Sequence, residues 1–386
     1  RDLLLGHQPK DFDIATDARP EEVRALFSNS RLIGRRFRLA HVRFGRELIE
    51  VATFRGTGNG GDDDNHVIHE SGRILSDNAW GSIEEDALRR DFTINALYYN
   101  IADYSIWDFV GGVADVRERT LRMIGDPEKR YREDPVRMLR AARLAAKLDL
   151  NIHPDTAAPI SQLADLLDDV PPARLFDEFL KLFQTGHAAA SFQRLRELGL
   201  FGHMFPVCAG QLEADPVFLE LVESALASTD ERVAQDRPIT PMFLFGVFLW
   251  RGVQARQAAL LQAGDCTPTQ AMIAAAAEIS AEQCRRIALP RRFSLPMREM
   301  LQMQLRLEDR GGRRARRLTE HKRFRAAYDL LVLRAAAGEV DNELVAFWDE
   351  LQSDQPTDEA QDKPRRRRRR RRRSARRPRQ SPPPAP

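Results

Sequence analysis

FRLAHVRFGRELIEVATF, residues 37–54, is the stretch on which the fold turns. Apolar and polar residues alternate on either side of Gly45-Arg46, the period of a half-buried strand, and a two-residue connection containing glycine suits a tight hairpin. Two antiparallel strands are expected, with Glu50 on the second. Upstream, PKDFDIAT (residues 9–16) reads as the end of a buried strand and sets Asp11 and Asp13 two residues apart. Side chains alternate across a strand, so both carboxylates point to one side. Two like charges held that close cost free energy unless a cation lies between them or water separates them. A solvated turn is the plain alternative for an isolated Asp-x-Asp. Between the two segments, TDARPEEVRALF (16–27) predicts a short helix with Asp17 as N-cap, Pro20 and acids in its first turn, and Val23, Leu26 and Phe27 as its apolar positions.

Further along, RGTGNGGDDDNHVIHESGR (55–73) has no periodicity and predicts a mobile loop, in which nothing rigid would hold His66 and His69 to a metal. Helical order is expected over GSIEEDALRRDFTINALYY (81–99), opened by a Ser82–Glu85 capping box. IWDFVGG (106–112) is strand-like, and REDPVRMLRAARLAAKLDL (132–150) predicts a helix with Asp134 as N-cap and Pro135 at its first position. Beyond residue 135 the pattern is almost wholly helical. The expected class is α+β: a small α/β head with a mixed or antiparallel sheet (1–112), a helical neck (113–205), a helical body (206–352) and a disordered basic tail (353–386).

The chain has 386 residues, 42% hydrophobic and 30% charged, and no run of about 18 apolar residues. A membrane partner is therefore not expected. Cys208, Cys266 and Cys284 are scattered, which favours a reducing compartment and a cytoplasmic location. No secretory pattern precedes the first motif, and the absence of an initiating Met gives the sequence the look of a fragment. The net charge of +3 conceals a division: from Lys363 onward there are one Lys, twelve Arg and no acid, a charge of +13, which leaves −10 on the rest. Such a block cannot bury enough apolar surface to fold alone, and its guanidinium groups, among them Arg365, Arg369, Arg373 and Arg376, suit the phosphates of a nucleic acid.

Three groups of residues carry chemistry. Asp11 and Asp13 form a hard-oxygen pair of the kind that magnesium takes together with substrate phosphates, and Glu50 on a neighbouring strand can join them or face outward as an ordinary strand residue. With Arg89 and Arg90 diverging by about 100° on a helix, one of them can be aimed at a triphosphate and Asp91 can accept from a ribose hydroxyl; a solvated helix face is the alternative. Asp134 and Arg137, three apart at a helix start, can pair with each other or offer an acceptor and a donor fork to the edge of a base, steadied by Glu133 and Arg140.

RDLLLGHQPKDFDIAT, LIGRRFRLAHV, RRDFTINALYY, YREDPVRMLRAARLAAKLD and PPARLFDEFLKLF occur in that order over residues 1–183. Together they resemble the class II template-independent nucleotidyltransferases, and GRRFRLAHV, KRFRAAYDLLVLRA and the Arg-rich end resemble the bacterial poly(A) polymerase branch more than the CCA-adding branch. The resemblance implies Asp11 and Asp13 as metal-binding carboxylates and Glu50 beside them. It implies Arg90 at phosphate, Asp91 at ribose, and Glu133, Asp134 and Arg137 reading the base with Arg140 in support. Arg174, Glu178 and Lys181 would brace the pocket. It also implies a Gly-Gly turn shortly before Arg1-Asp2, so the head as given is expected to be N-terminally truncated. The activity implied is transfer of AMP from ATP to RNA 3′ ends with magnesium, with RNA-decay or RNA-chaperone proteins as further partners. The alternatives are CCA addition to tRNA and a non-catalytic RNA-binding module.

Overall fold

The computed structural model describes residues 1–9, 12–34, 38–56, 67–68, 74–76, 80–264 and 266–353. Asp11, His66, His69, Arg365, Arg369, Arg373 and Arg376 lie outside the described residues. The head is built on a sheet of four strands, β1 (Ile14–Thr16), β2 (Ser30–Ile33), β3 (Leu39–Phe44) and β4 (Glu47–Thr53), ordered β1-β4-β3-β2. β3 and β4 form the expected hairpin, with Phe44 opposite Glu47 and Gly45 at φ 62°, a left-handed value that favours glycine in the first turn position. β1 runs parallel to β4 and β2 antiparallel to β3, so the sheet is mixed.

Alternation along the hairpin decides which face is covered. Ala40 and Val42 of β3 and Val51 of β4 are buried against Val23 of helix α1 (Pro20–Leu26). The opposite face carries His41 and Glu50, which stand across from each other. α1 departs from expectation at its start. Its N-cap is Arg19 rather than Asp17, because Pro20 fixes the first helical position and Glu22 reaches back to the Arg19 amide at 2.6 Å. Within the segment read as an aperiodic loop, Val67–Ile68 is a short strand that pairs antiparallel with Ile74–Ser76 just beyond it.

Helix α2 (Ile83–Arg89) has the expected capping box: Ser82 Oγ accepts from the Glu85 amide at 3.3 Å, and Glu85 Oε2 accepts from the Ser82 amide at 2.8 Å. The helical reading fails after Arg89. Arg90 is extended, Thr93–Asn95 is a single 3₁₀ turn, and Leu97–Tyr99 is a strand paired antiparallel with Ile106–Asp108. β-branched and aromatic residues there gain more from a ladder than from continuing the helix. Helix α3 (Gly112–Arg117), helix α4 (Pro127–Glu133) and helix α5 (Val136–Leu148) follow, and the pair Thr120–Leu121 with Asn151–Ile152 ties the segment before α4 to that after α5.

From Pro154 to Ser353 the described chain is helical with short connections. Its apolar faces share one core that reaches from Phe92 to Trp348. At the centre of that core Phe179, fully buried on the helix Pro172–Phe183, lies 4.4 Å from Phe245 and 5.1 Å from Phe183 between ring centroids. Burial of such a ring contributes on the order of 2–3 kcal/mol, and aromatic contacts of this geometry add about 1 kcal/mol. The helix that carries the Arg174 and Glu178 side chains also packs against α5.

Candidate active site

β1 delivers the first carboxylate. Its register sets Ile14 beside Val51, and carried one residue back it sets Asp13 beside Glu50 on the face that α1 leaves open. Glu50 Oε1 lies 3.0 Å from Nε2 of His41, which fixes the carboxylate across the β3–β4 ladder while its side chain stays 48% exposed. Asp13, one residue before β1, is exposed. Among the described residues no group of three His, Cys, Asp or Glu is arranged to hold a metal.

The second cluster forms where α2 ends. Arg90, having left the helix, turns its guanidinium to Asp86 at 2.9 Å and 3.1 Å and to the Tyr98 hydroxyl at 3.0 Å, and it lies over the Tyr98 ring. Tyr98 in turn donates to Asp86 at 2.6 Å. Burial and Asp86 together raise the Tyr98 pKa, so the phenol stays protonated and donating. Arg89 donates to the Gly56 carbonyl, so the two arginines serve different partners.

Asp91 is almost enclosed. Its Oδ1 accepts from the Phe92 amide at 2.8 Å and from Asn95 at 2.9 Å, and its Oδ2 accepts from Arg140 of α5 at 2.7 Å and 2.5 Å. Burial pushes its pKa up, but Arg140 and the Asn95 and Phe92 donors outweigh burial and leave it lowered. For Arg140, burial lowers the pKa and Asp91 more than restores it. With these acceptor sites engaged, a ribose hydroxyl would have to displace one of the bonds.

The third cluster lies at the α4–α5 junction and differs from the expected pairing. Asp134 does not pair with Arg137. Arg137 donates to Glu133 at 3.1 Å and to the Arg130 carbonyl at 2.7 Å, whereas Asp134 accepts from Arg174 at 2.6 Å and from the Val136 amide at 3.3 Å. The cap residue of α5 is Pro135, one place later than read, although the Asp134 carboxylate still serves the first amide of the helix. Arg140 steadies Asp91 rather than the Asp134 region, because α5 passes the 91–95 turn at that point. Arg174 and Glu178 brace the site from the helix Pro172–Phe183: Glu178 is held by Lys181 at 2.8 Å and Arg143 at 3.6 Å.

Arg130 escaped the sequence reading. Its guanidinium donates to the carbonyls of Arg89 and Arg90 at 2.7 Å and 2.5 Å and to Glu133 at 3.0 Å, joining the end of α2 to the α4–α5 junction. It satisfies carbonyls that a helix end leaves without partners. Asp86, Tyr98 and Arg143 were missed as well. Only Asp86 carried a readable signal, its spacing of four from Arg90.

Three family descriptions match the chain: "Poly A polymerase head domain" over residues 1–122, "Probable RNA and SrmB- binding site of polymerase A" over 149–212, and "Polymerase A arginine-rich C-terminus" over 264–381. Poly(A) polymerase I of Escherichia coli O6:H1 is 48% identical over 93% of this chain and 78% of its own length. The CCA-adding enzyme of Geobacillus stearothermophilus is 38% identical over 55% of this chain and 50% of its own length. A crystal structure of the Bacillus stearothermophilus CCA-adding enzyme in complex with CTP shares the fold, with a TM-score of 0.56 at 24% identity over 91% of this chain and 75% of that one. With a poly(A) polymerase I aligned over 93% of the chain and all three poly(A) polymerase segments matched in order, the chain belongs to the bacterial poly(A) polymerase family.

Proposed function

We infer that the chain is a polynucleotide adenylyltransferase that moves AMP from ATP onto an RNA 3′-hydroxyl without a template. The new bond joins the 3′-oxygen to the α-phosphorus, the α–β bridging bond breaks, and pyrophosphate leaves. The observation that carries this reading is the 48% identity with a poly(A) polymerase I over 93% of the chain. The site's geometry supports it. Asp13 just before β1, beside Glu50 when the β1–β4 register is carried one residue back, with Asp11 two residues earlier in the sequence, offers an all-oxygen donor set of the kind magnesium takes. Bound there, the metal would neutralise phosphate charge and ease deprotonation of the attacking hydroxyl.

The chain's own residues do the rest. Glu133 holds Arg137 as a fixed donor, and Arg174 holds Asp134 as a fixed acceptor. An acceptor for the exocyclic amine and a donor for a ring nitrogen suit the Watson–Crick edge of adenine, and that of cytosine equally. Arg130 and the Asp91–Arg140 pair keep that element in place against the head. RNA is the partner, held mainly through its phosphates. The free cysteines, Cys208, Cys266 and Cys284, support a reducing cytoplasmic setting, and RNA-decay or RNA-chaperone proteins are proposed as assistants in RNA processing. Among the described residues no helix is long and apolar enough to cross a membrane.

The test is ATP incorporation onto a generic RNA by the chain and by its Asp11→Ala/Asp13→Ala variant, with RNA binding measured in parallel. Long tails from ATP alone, lost in the variant while binding persists, are expected. Incorporation that survives the double substitution refutes the carboxylate assignment. A short addition that requires CTP identifies CCA addition, and binding without any incorporation identifies a non-catalytic module.

A further inference from the structure

The stretch Arg310 to Arg325, RGGRRARRLTEHKRFR, holds eight Lys or Arg and one acid, Glu320. Its first part is the helix Gly312–Thr319, docked on the helix Phe324–Ala336 through Ala315 and Leu318, which are 3% and 2% exposed. Arg314, Arg316 and Arg317 face solvent. At about 100° per residue, Arg314 and Arg317 are neighbours on the outer face, and Arg316 closes its far side.

What sets these three apart is their pairing. Arg310 meets Glu343 at 3.5 Å, Lys322 and Arg323 meet Glu299 at 4.0 Å and 3.0 Å, and Arg325 meets Asp329 at 2.9 Å. Among the described residues, no carboxylate comes within ion-pair distance of Arg314, Arg316 or Arg317. In the candidate active site, by contrast, Arg90, Arg130, Arg137, Arg140 and Arg174 are all tied to acids. Like charges one turn apart on a helix destabilise it by a few tenths of a kcal/mol per pair, a cost set against the favourable position of Arg316 and Arg317 in the last turn of the helix. A partner that supplies closely spaced negative charge relieves the repulsion, and a guanidinium meets a phosphate by two parallel hydrogen bonds.

We propose that the outer face of the helix Gly312–Thr319 is a phosphate track for the RNA being tailed, carried by the folded body and distinct from the Arg-rich tail. The choice of RNA over an acidic protein rests on the proposed function. The experiment is the salt dependence of single-stranded RNA binding by the full chain and by its Arg314→Gln/Arg316→Gln/Arg317→Gln variant. Each phosphate contact on a single strand contributes about 0.7 to the slope of log K against log salt, so loss of three lowers the slope by about 2 and weakens binding about 10- to 100-fold near 0.1 M salt. A triple Arg→Lys variant keeps the charge and should keep the slope. The KM for RNA should rise in the Gln variant with kcat for ATP incorporation unchanged. An unchanged slope in the Gln variant overturns the track even when wild-type chain incorporates ATP normally. An unchanged slope together with loss of poly-glutamate binding assigns the face to an acidic protein and overturns it too. Failure of wild-type chain to incorporate ATP refutes the proposed function, while the slope still reports on the helix.

Discussion

Replacing Arg140 by Met removes the cation that the buried Asp91 carboxylate depends on. The Arg140 side chain is 33% exposed and that of Asp91 is 10% exposed. Breaking a buried pair by removing one member costs about 3–5 kcal/mol, and the partial exposure of Arg140 places this case near the lower end. The Asn95 and Phe92 donors remain and compensate in part. The sign of the pH dependence follows from the direction of the shift. The folded-state pKa of Asp91 is lowered, so its contribution is present above the ordinary carboxylate value of about 3.9 and is lost as pH falls through the folded value. Without Arg140, burial dominates and the variant is penalised for carrying the charge. The stability gap between wild type and Arg140→Met should thus be widest at neutral pH and narrow as pH falls below about 5. Urea unfolding followed by far-UV circular dichroism at several pH values measures it. Adding Asp91→Asn to Arg140→Met should recover about 2 kcal/mol, because a neutral amide needs no cation. A gap that is the same at all pH values, or no recovery in the double variant, would show that the pair contributes packing rather than charge compensation.

Two further substitutions probe the elements that position the site. A Cβ on Gly112 would collide with the Thr93 carbonyl oxygen, so Gly112→Ala must push the turn that follows Asp91. We expect a loss of about 1–3 kcal/mol in denaturant unfolding together with reduced ATP incorporation, and an unshifted midpoint would contradict the contact. Glu133→Gln keeps the shape but removes the charge shared by Arg130 and Arg137. A rise of about tenfold in KM for ATP with weaker discrimination against other nucleotides is expected, and steady-state kinetics with each nucleotide that show neither change would remove Glu133 from base selection.

The local elements were legible because their causes are local. Alternation around Gly45-Arg46 announced the hairpin, and Ser82 with Glu85 announced the start of α2. Pro20 forced the first helical position of α1, but the N-cap went to Arg19 because Glu22 closed the box from the other side. The helix read through Tyr99 failed because the ladder with Ile106–Asp108 is a non-local gain that no window over residues 81–99 contains.

Residue types at the candidate site were fixed by the sequence: paired aspartates near a strand end, arginines near an acid after α2, and Glu-Asp-x-x-Arg before α5. Which charge meets which was decided only in three dimensions. Spacing allowed Asp134 to pair with Arg137, but Arg174, 40 positions along the chain, takes Asp134, and Arg140, 49 positions from Asp91, takes Asp91. A carboxylate's partner is the cation that packing brings within about 3 Å, and packing is set by the shared apolar core that presses the helix Pro172–Phe183 and α5 together. Sequence spacing bounds the choices within one helix turn, and the tertiary contacts choose among cations from the whole chain.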